Sequence, residues 1–221
     1  MLTREYDKLK EVDLKETDRD MTNMWHERFS TEEYVYGKEP NGFVVEAAEL
    51  MPKGKVLCIA EGEGRNSVYL ASLGFDVTAW DFAQSGLEKT RQLANEKGVN
   101  VKTEYHDLAD VRWEAEQWDA IIQIFGHFPS EVMNRTLAGI KKALKPGGYY
   151  VSELYSKEQL KYGTGGPKNE EMLVSPKEML EQFDGYFIKH FHVGEVNREE
   201  GQLHTGTAHV VQSMFQKRKG E

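Results

Sequence analysis

Two short segments and one isolated acid have the types and spacing to hold a nucleoside. The segment Glu61-Gly62-Glu63-Gly64 interrupts an apolar run, Val56 to Ala60, and a helix-like pattern follows it from Asn66 through Ser67, Val68, Leu70, Ala71 and Leu73 to Gly74. A buried strand, a tight turn and a helix N-terminus in that order present main-chain N–H groups to a ligand. Gly62 and Gly64 carry no Cβ, so they take dihedrals closed to other residues and let a flat ligand lie against the backbone. Asp81 stands 19 residues beyond Gly62, at the end of a second apolar run from Asp76 to Trp80. A carboxylate there can accept hydrogen bonds from both hydroxyls of a ribose. It can equally cap the helix that begins at Phe82, since Asp is a favoured N-cap. The glycine turn is shaped for a nucleotide-like cofactor, and of the two readings of Asp81 only the first makes it part of that site.

Later residues offer proton chemistry. His127 follows the apolar run Trp118 to Phe125, and an imidazole there can take a proton from a hydroxyl or thiol. It can also pack on Phe128 or cap the helix that starts at Ser130. Tyr36, with Gly37 and Asn41 near it, can form a lid edge over the reacting centre, and Tyr155 can line the pocket; each can also be packing with a bonded hydroxyl. His190, His192, His204 and His209 sit on two β-rich runs. His204 and His209 are an odd number apart and point to opposite faces, so no metal centre is expected.

The elements that must position these groups alternate in type. Met21, Met24, Trp25 and Phe29 give a short amphipathic helix in a polar N-terminal extension, residues 1–41, which serves as a lid segment to a main domain over residues 42–221. Gly42 to Met51 reads as a helix with Phe43, Val44, Ala47, Ala48, Leu50 and Met51 inward, ended by Pro52. Ser85 to Lys97 is a helix with Leu87, Thr90, Arg91 and Ala94 on one side, closed by Gly98. Val99 to Tyr105 gives a third strand, Trp118 to Phe125 a fourth, Ser130 to Leu144 a helix, and Tyr149 to Leu154 a fifth strand. Strands separated by helices imply a parallel sheet covered on both faces. Tyr162 to Lys168 is a glycine-rich loop, and Ser175-Pro176-Lys177-Glu178 opens a short helix. Tyr186 to Val196 and His204 to Gln216 then form an antiparallel hairpin, with Asn197 to Gly201 as its link.

At 221 residues, one domain with a sizeable core is expected. A formal net charge of −9 and the lack of a basic face argue against nucleic acid as a partner. No apolar stretch is long enough to span a membrane, no secretory leader is evident, and Cys58 is the sole cysteine, so a cytoplasmic protein without disulfides is expected.

The ending EGEGRN of the glycine turn, Asp81, Asp107-Leu108, the run WDAIIQIFGHFP, the KPGG before strand five and the closing hairpin together resemble class I S-adenosylmethionine-dependent methyltransferases, within them the small tellurite-resistance-like group. The resemblance covers about residues 24 to 216. It implies an α/β fold with a doubly wound, mostly parallel seven-stranded sheet in the order 3-2-1-4-5-7-6, the last strand antiparallel, and helices on both faces. It implies S-adenosylmethionine as cofactor and S-adenosylhomocysteine as product, bound over the carboxyl ends of strands 1, 2 and 4. Gly62 and Gly64 would pass beneath it, Asp81 would hold the ribose, and Asp107 and the Leu108 amide would meet the adenine. Phe82 would cover the adenine face, and Phe125 and Gly126 would lie near the methyl group.

The chain departs from the family where Cys58 replaces an acid and Ala60 a glycine, so contact with the methionine amino group passes to Glu61, a main-chain carbonyl or water. In-line methyl transfer to a small-molecule acceptor by a monomer or homodimer is the expected function. Two other classes stay open. A NAD(P)-dependent oxidoreductase shares the first βαβ unit but wants a small residue where Ser67 stands and leaves Asp107 and the hairpin unexplained. A catalytically silent S-adenosylmethionine-binding protein would carry the same motifs.

Overall fold

Strand β1 (Lys55–Ile59) is the axis of the sheet, paired in parallel with β2 (Asp76–Asp81) on one side and β4 (Trp118–Ile124) on the other. Outward from β2 lies β3 (Lys102–Tyr105), and outward from β4 lies β5 (Leu144–Tyr155), both parallel. Strand β7 (His204–Gln216) runs antiparallel to β5, and β6 (Phe187–Glu200) closes the edge against it. In this computed structural model, which describes residues 24–201 and 204–219, the seven strands stand in the order 3-2-1-4-5-7-6. The expected sheet and its antiparallel strand are therefore present. Residues 1–23, and with them Met21 of the proposed amphipathic helix, lie outside the described residues.

Side-chain alternation along the strands feeds two cores. Val56 and Cys58 of β1, with Val77, Ala79 and Ile122, point to the face covered by α2 (Gly42–Leu50), α3 (Arg65–Ser72) and α4 (Gln84–Lys97). Leu57 and Ile59, with Ile121 and Tyr150, point to the opposite face, covered by α5 (Ser130–Ala143) and α6 (Pro176–Gln182). Before them, residues 24–29 form the described part of α1. Ser175 caps α6 through its hydroxyl, which accepts from the Glu178 N–H, with proline at the first helical turn, as the sequence pattern requires.

The sequence reading needs correction at three places. Leu50 is 61% exposed, because it ends α2 and Met51 takes the inward position. Arg91 of α4 is exposed and Leu93 is buried in its place. The third correction bears on function. β6 runs through the predicted link to Glu200, pairing Glu200 with His204, so Arg198 and Glu200 are strand residues overhanging the carboxyl end of β5.

Candidate functional site

The strand order reverses between β1 and β4, which opens a crevice at the carboxyl edge of the sheet. Two residues at its floor hold left-handed backbone, Ala60 at φ 49° after β1 and Phe125 at φ 53° after β4. Non-glycine residues rarely accept this conformation, and such strain collects where a site demands it.

The turn after β1 is held by the end of β2. Gly62 N–H donates to Asp81 Oδ2 (2.8 Å), Ala83 N–H donates to Asp81 Oδ1 (2.7 Å), and Thr90 Oγ1 donates to the Gly62 carbonyl (3.1 Å). Asp81 thus ties the residue before α4 and the glycine turn to one carboxylate. Its burial pushes the carboxyl up to about 6, against the pull of the three N–H groups of Ala83, Gly62 and Phe82. Glu61 Oε1 accepts from the N–H groups of Asn66 (3.1 Å) and Ser67 (2.7 Å), capping α3 in place of Gly64, which has no side chain to do so. Burial pushes Glu61 up to about 7, opposed by those bonds to Ser67 and by Arg65. No hydrogen bond reaches Oε2 among the described residues, and Glu61 lines the crevice.

The crevice opens onto a space of about 820 Å³, part of it continuous with solvent, whose lining includes Glu61, Gly62, Asp81, Phe82, Phe125 and His127. A narrower slot of about 460 Å³ adjoins it through Ala60, Asp81, Phe82 and Phe128 and is closed by His106, Asp107, Leu108 and Val132. A large lobe and a flat annex, joined at an acid, suit an extended ligand with a planar end. Leu108 is buried at the back of the slot, and Asp107 Oδ1 accepts from the Ala109 N–H at 2.8 Å. Gly64 lines neither space. It sits behind the turn at φ 92°, and a Cβ there would lie 2.8 Å from the Thr90 Cα. Its absent side chain serves the packing of α3 on α4.

Residues 24–41 cross the mouth of the cavity as a strap. Trp25, Phe29 and Tyr36 pack on one another over the opening, with ring centroids 5.4 to 6.4 Å apart. The strap is tied down by Ser85 Oγ to the His26 carbonyl (2.7 Å), by Lys89 Nζ to the Glu33 carbonyl (2.5 Å), and by Tyr36 N–H to Glu63 Oε2 (3.3 Å). Lys89 and Glu63 form a buried ion pair at 2.7 Å beneath it. The Tyr36 hydroxyl accepts from Arg28 at 3.2 Å.

At the far end of the cavity, His127 is engaged on both nitrogens. Tyr155 N–H donates to its Nε2 (3.1 Å) and its Nδ1 donates to the Met172 carbonyl (2.8 Å), which sets the tautomer. Burial lowers its pKa to about 4. Tyr155 is fully buried behind the cavity wall, stacked on Phe125 at 4.7 Å and on His127 at 5.5 Å. Around that stack stand Glu153, Arg198, Glu200 and Arg65, to which the sequence reading gave no role, and His204, which it weighed only as a metal ligand. Arg65 Nη2 donates to Glu200 Oε2 (2.8 Å), Asn41 Nδ2 to Glu200 Oε1 (3.0 Å), and His204 packs on Tyr36 (4.4 Å) and Phe125 (4.7 Å). The signal for them was the β-compatible alternation of Arg198, Glu200 and His204, obscured by the polar composition of the link.

A doubly wound sheet in this order, with a cavity at its switch point, is the class I methyltransferase fold. The sequence comparisons narrow the class. The family model described as "Tellurite resistance protein TehB" matches residues 23–159, well over half of the chain, and the chain belongs to that family. The curated relative from Haemophilus influenzae, named "Probable S-adenosyl-L-methionine-dependent methyltransferase TehB", is 31% identical over 111 residues, 49% of this chain and 38% of that protein. The match thus spans well under half of the relative's length. The crystal structure of TehB from the same organism superposes with a TM-score of 0.66 at 22% identity, over 80% of this chain and 62% of that one. A structure reported for the conversion of a disulfide bond into a thioacetal group during echinomycin biosynthesis gives 0.70 at 19% identity, over 91% and 94%. Magnesium protoporphyrin IX methyltransferase from Synechocystis, solved with bound S-adenosylhomocysteine, gives 0.61 at 15%, over 83% and 91%. These three superpositions share the fold.

Proposed function

We propose that the chain binds S-adenosylmethionine in the cavity and its annex and directs methyl transfer to a small acceptor held above the carboxyl ends of β4 and β5. The observation that carries this reading is the continuity of the two spaces at Asp81 and Phe82, which gives an extended donor one path past a carboxylate into a flat slot. The residues present fit such a ligand. Two carboxylates with raised proton affinity, Asp81 and Glu61, face the cavity and gain from a cationic occupant. Asp81 and the Gly62 turn would hold the ribose and the chain beside it, Asp107 and the Leu108 amide the adenine, and Glu61 Oε2 the amino group.

Bound S-adenosylmethionine supplies an activated methyl group on a sulfonium sulfur, so no side chain must provide the activation. The chain's own task is to align the acceptor and exclude water. The strap does the second, with Trp25, Phe29 and Tyr36 across the opening. Phe125 and Gly126 set the wall against which the acceptor lies. Tyr155 supports that wall through its stack on Phe125, and His127 fixes Tyr155 and the Met172 carbonyl in place. A cytoplasmic setting agrees with the single, fully buried Cys58 thiol.

Calorimetry with S-adenosylmethionine, S-adenosylhomocysteine and NAD tests the cofactor, and tighter binding of NAD would overturn the reading. Hydrogen exchange tests the strap: amides of residues 24–41 should slow on cofactor binding, and equal protection with and without it would remove the lid role.

A further inference from the structure

Strand β4 carries a glutamine on a sheet face that is otherwise apolar. Gln123 follows Ile121 on the side covered by α5, alongside Met133 and Tyr150, and is closed to solvent. A buried amide costs free energy unless its polar atoms are met. Here they are. Gln123 Nε2 donates to the Gly126 carbonyl at 2.7 Å and stands 3.7 Å from Met133 Sδ, and Oε1 accepts from the Tyr150 hydroxyl at 2.8 Å. A carbonyl can only accept, so the amide nitrogen must face Gly126 and the amide oxygen Tyr150. Tyr150 is itself fixed, fully buried and stacked on Phe183 at 4.9 Å.

The bond to Gly126 explains why the position is polar. Phe125 holds φ 53°, and this left-handed residue turns the chain at the end of β4. The Phe125 N–H continues the sheet by donating to the Glu153 carbonyl at 2.9 Å, whereas the Gly126 carbonyl turns into the core, where Gln123 supplies its hydrogen bond. A methionine would match glutamine in length and fill the same space, but would leave that carbonyl without this donor. Packing closes the turn on the same side: a Cβ on Gly126 would stand 3.3 Å from Gln123 Cγ, 3.3 Å from Phe128 Cζ and 3.1 Å from the Ala60 Cβ. On its other side the turn is cavity wall, lined by Phe125 and Gly126, while Gln123 lines neither the cavity nor the slot. Any effect of Gln123 on a ligand must therefore pass through Gly126.

We propose that Gln123 is a positioning residue for methyl transfer, its amide holding the strained Phe125-Gly126 turn so that the cavity wall stands against the methyl group of the cofactor. The inference rests on the methyltransferase reading, which puts Phe125 and Gly126 beside that methyl group. A left-handed non-glycine residue persists only where its surroundings over-determine it, and the Gln123 bond is one of those restraints. Once the Gly126 carbonyl is free to leave the core, Phe125 relaxes toward negative φ and the wall shifts. Alignment at the methyl group is then lost. The far end of the site is bordered separately by Asp81 and Leu108, so the defect should fall on the methyl end.

Phe125-Gly126 is the single Phe-Gly pair in the chain, so labelling with carbonyl-13C phenylalanine and 15N glycine yields one selected amide signal, that of Gly126. In the parent protein this signal should be a single sharp line that moves to different positions with S-adenosylmethionine and S-adenosylhomocysteine, which differ by the methyl group. Gln123→Met should broaden or split the line and weaken S-adenosylmethionine at least fivefold more than S-adenosylhomocysteine in calorimetry. The double variant Gln123→Met, Tyr150→Phe separates positioning from packing. It removes the hydroxyl whose acceptor the first change deletes, so the urea midpoint should return toward the parent value while the altered Gly126 line and the selective loss persist. An unaltered Gly126 line, an equal loss for the two ligands, or recovery of line and affinity together with stability overturns the proposal. Where Gln123→Met fails to fold, the double variant alone carries the same readings. Failure of both ligands to bind the parent protein is a separate result, which removes the methyltransferase reading and the positioning role with it.

Discussion

Gly62 and Asp81 are joined across the switch point of the sheet, the N–H of the first donating to Oδ2 of the second at 2.8 Å while Oδ1 takes the Ala83 N–H at 2.7 Å. The acid at the end of β2 therefore shapes the glycine turn as well as facing the cavity, and it does not cap the following helix, whose N-cap is Ala83. Asp81→Ala should lose both bonds, each worth about 1–3 kcal/mol when a buried donor is left unpaired. Denaturant unfolding should show a loss in that range or above it, and calorimetry at least a tenfold loss of S-adenosylmethionine affinity. Unchanged stability would show that the two backbone bonds are replaced by water.

Glu61 gives the stability a pH dependence of known sign. Its folded carboxyl is pushed by burial from the ordinary 4.5 to about 7, so between those values the folded protein binds more protons than the unfolded chain. Its contribution is full below about 4.5 and is lost as pH rises through about 7. A tenfold change in proton affinity is worth about 1.4 kcal/mol, which makes the loss on the order of 3 kcal/mol at most in a cavity that water can enter. His127, lowered to about 4, works in the opposite direction, so the effect is read as a difference. Glu61→Gln keeps the acceptor oxygen for Asn66 and Ser67 and cannot titrate. The stability gap between variant and parent should move in favour of the variant from pH 5 to pH 8, and a gap constant across that range would show that Glu61 is solvated.

His127 is placed to hold, with one nitrogen on the Tyr155 N–H and the other on the Met172 carbonyl. Its ring protons in an NMR titration should stay at their neutral positions from pH 8 to pH 5.5. His127→Ala should leave a buried donor and acceptor unpaired and cost about 2–5 kcal/mol in unfolding free energy. A transition of the ring near pH 6.5 would show that the two bonds open in solution and return the residue to service as a base.

How much of this was legible in the chain follows from what each residue answers to. The glycine turn, Asp81, Asp107 and Leu108 are specified locally, by spacing between a strand end and a helix start, and they meet around one cavity. Arg198, Glu200 and His204 answer to a partner element instead. Their place over β5 depends on the register that sets Glu200 opposite His204, and a charged link reads as a surface turn until that register is known. Gly64 reads as a ligand contact from its place in the same turn as Gly62, whereas its constraint in the fold comes from Thr90 on the next helix.

Ala60 and Gly64 bracket the turn and should respond in opposite ways to exchange of a methyl group. Ala60 holds φ 49°, a left-handed conformation that costs a residue with a Cβ about 1 kcal/mol or more. A Cβ on Gly126 would stand 3.1 Å from that of Ala60, so the glycine beside it leaves room for the Ala60 methyl. Ala60→Gly should therefore stabilise the chain by roughly 0.5–1 kcal/mol, net of the extra freedom that glycine gives the unfolded state. Gly64→Ala adds strain at φ 92° and drives a Cβ to 2.8 Å from the Thr90 Cα, a backbone atom that cannot turn aside. That variant should lose about 3 kcal/mol or more as α3 separates from α4. Urea unfolding of both proteins decides the matter. A destabilised Ala60→Gly would mean that the Ala60 methyl packs more tightly than its contacts indicate, and a tolerated Gly64→Ala would mean that α4 can withdraw from the turn without loss of the fold.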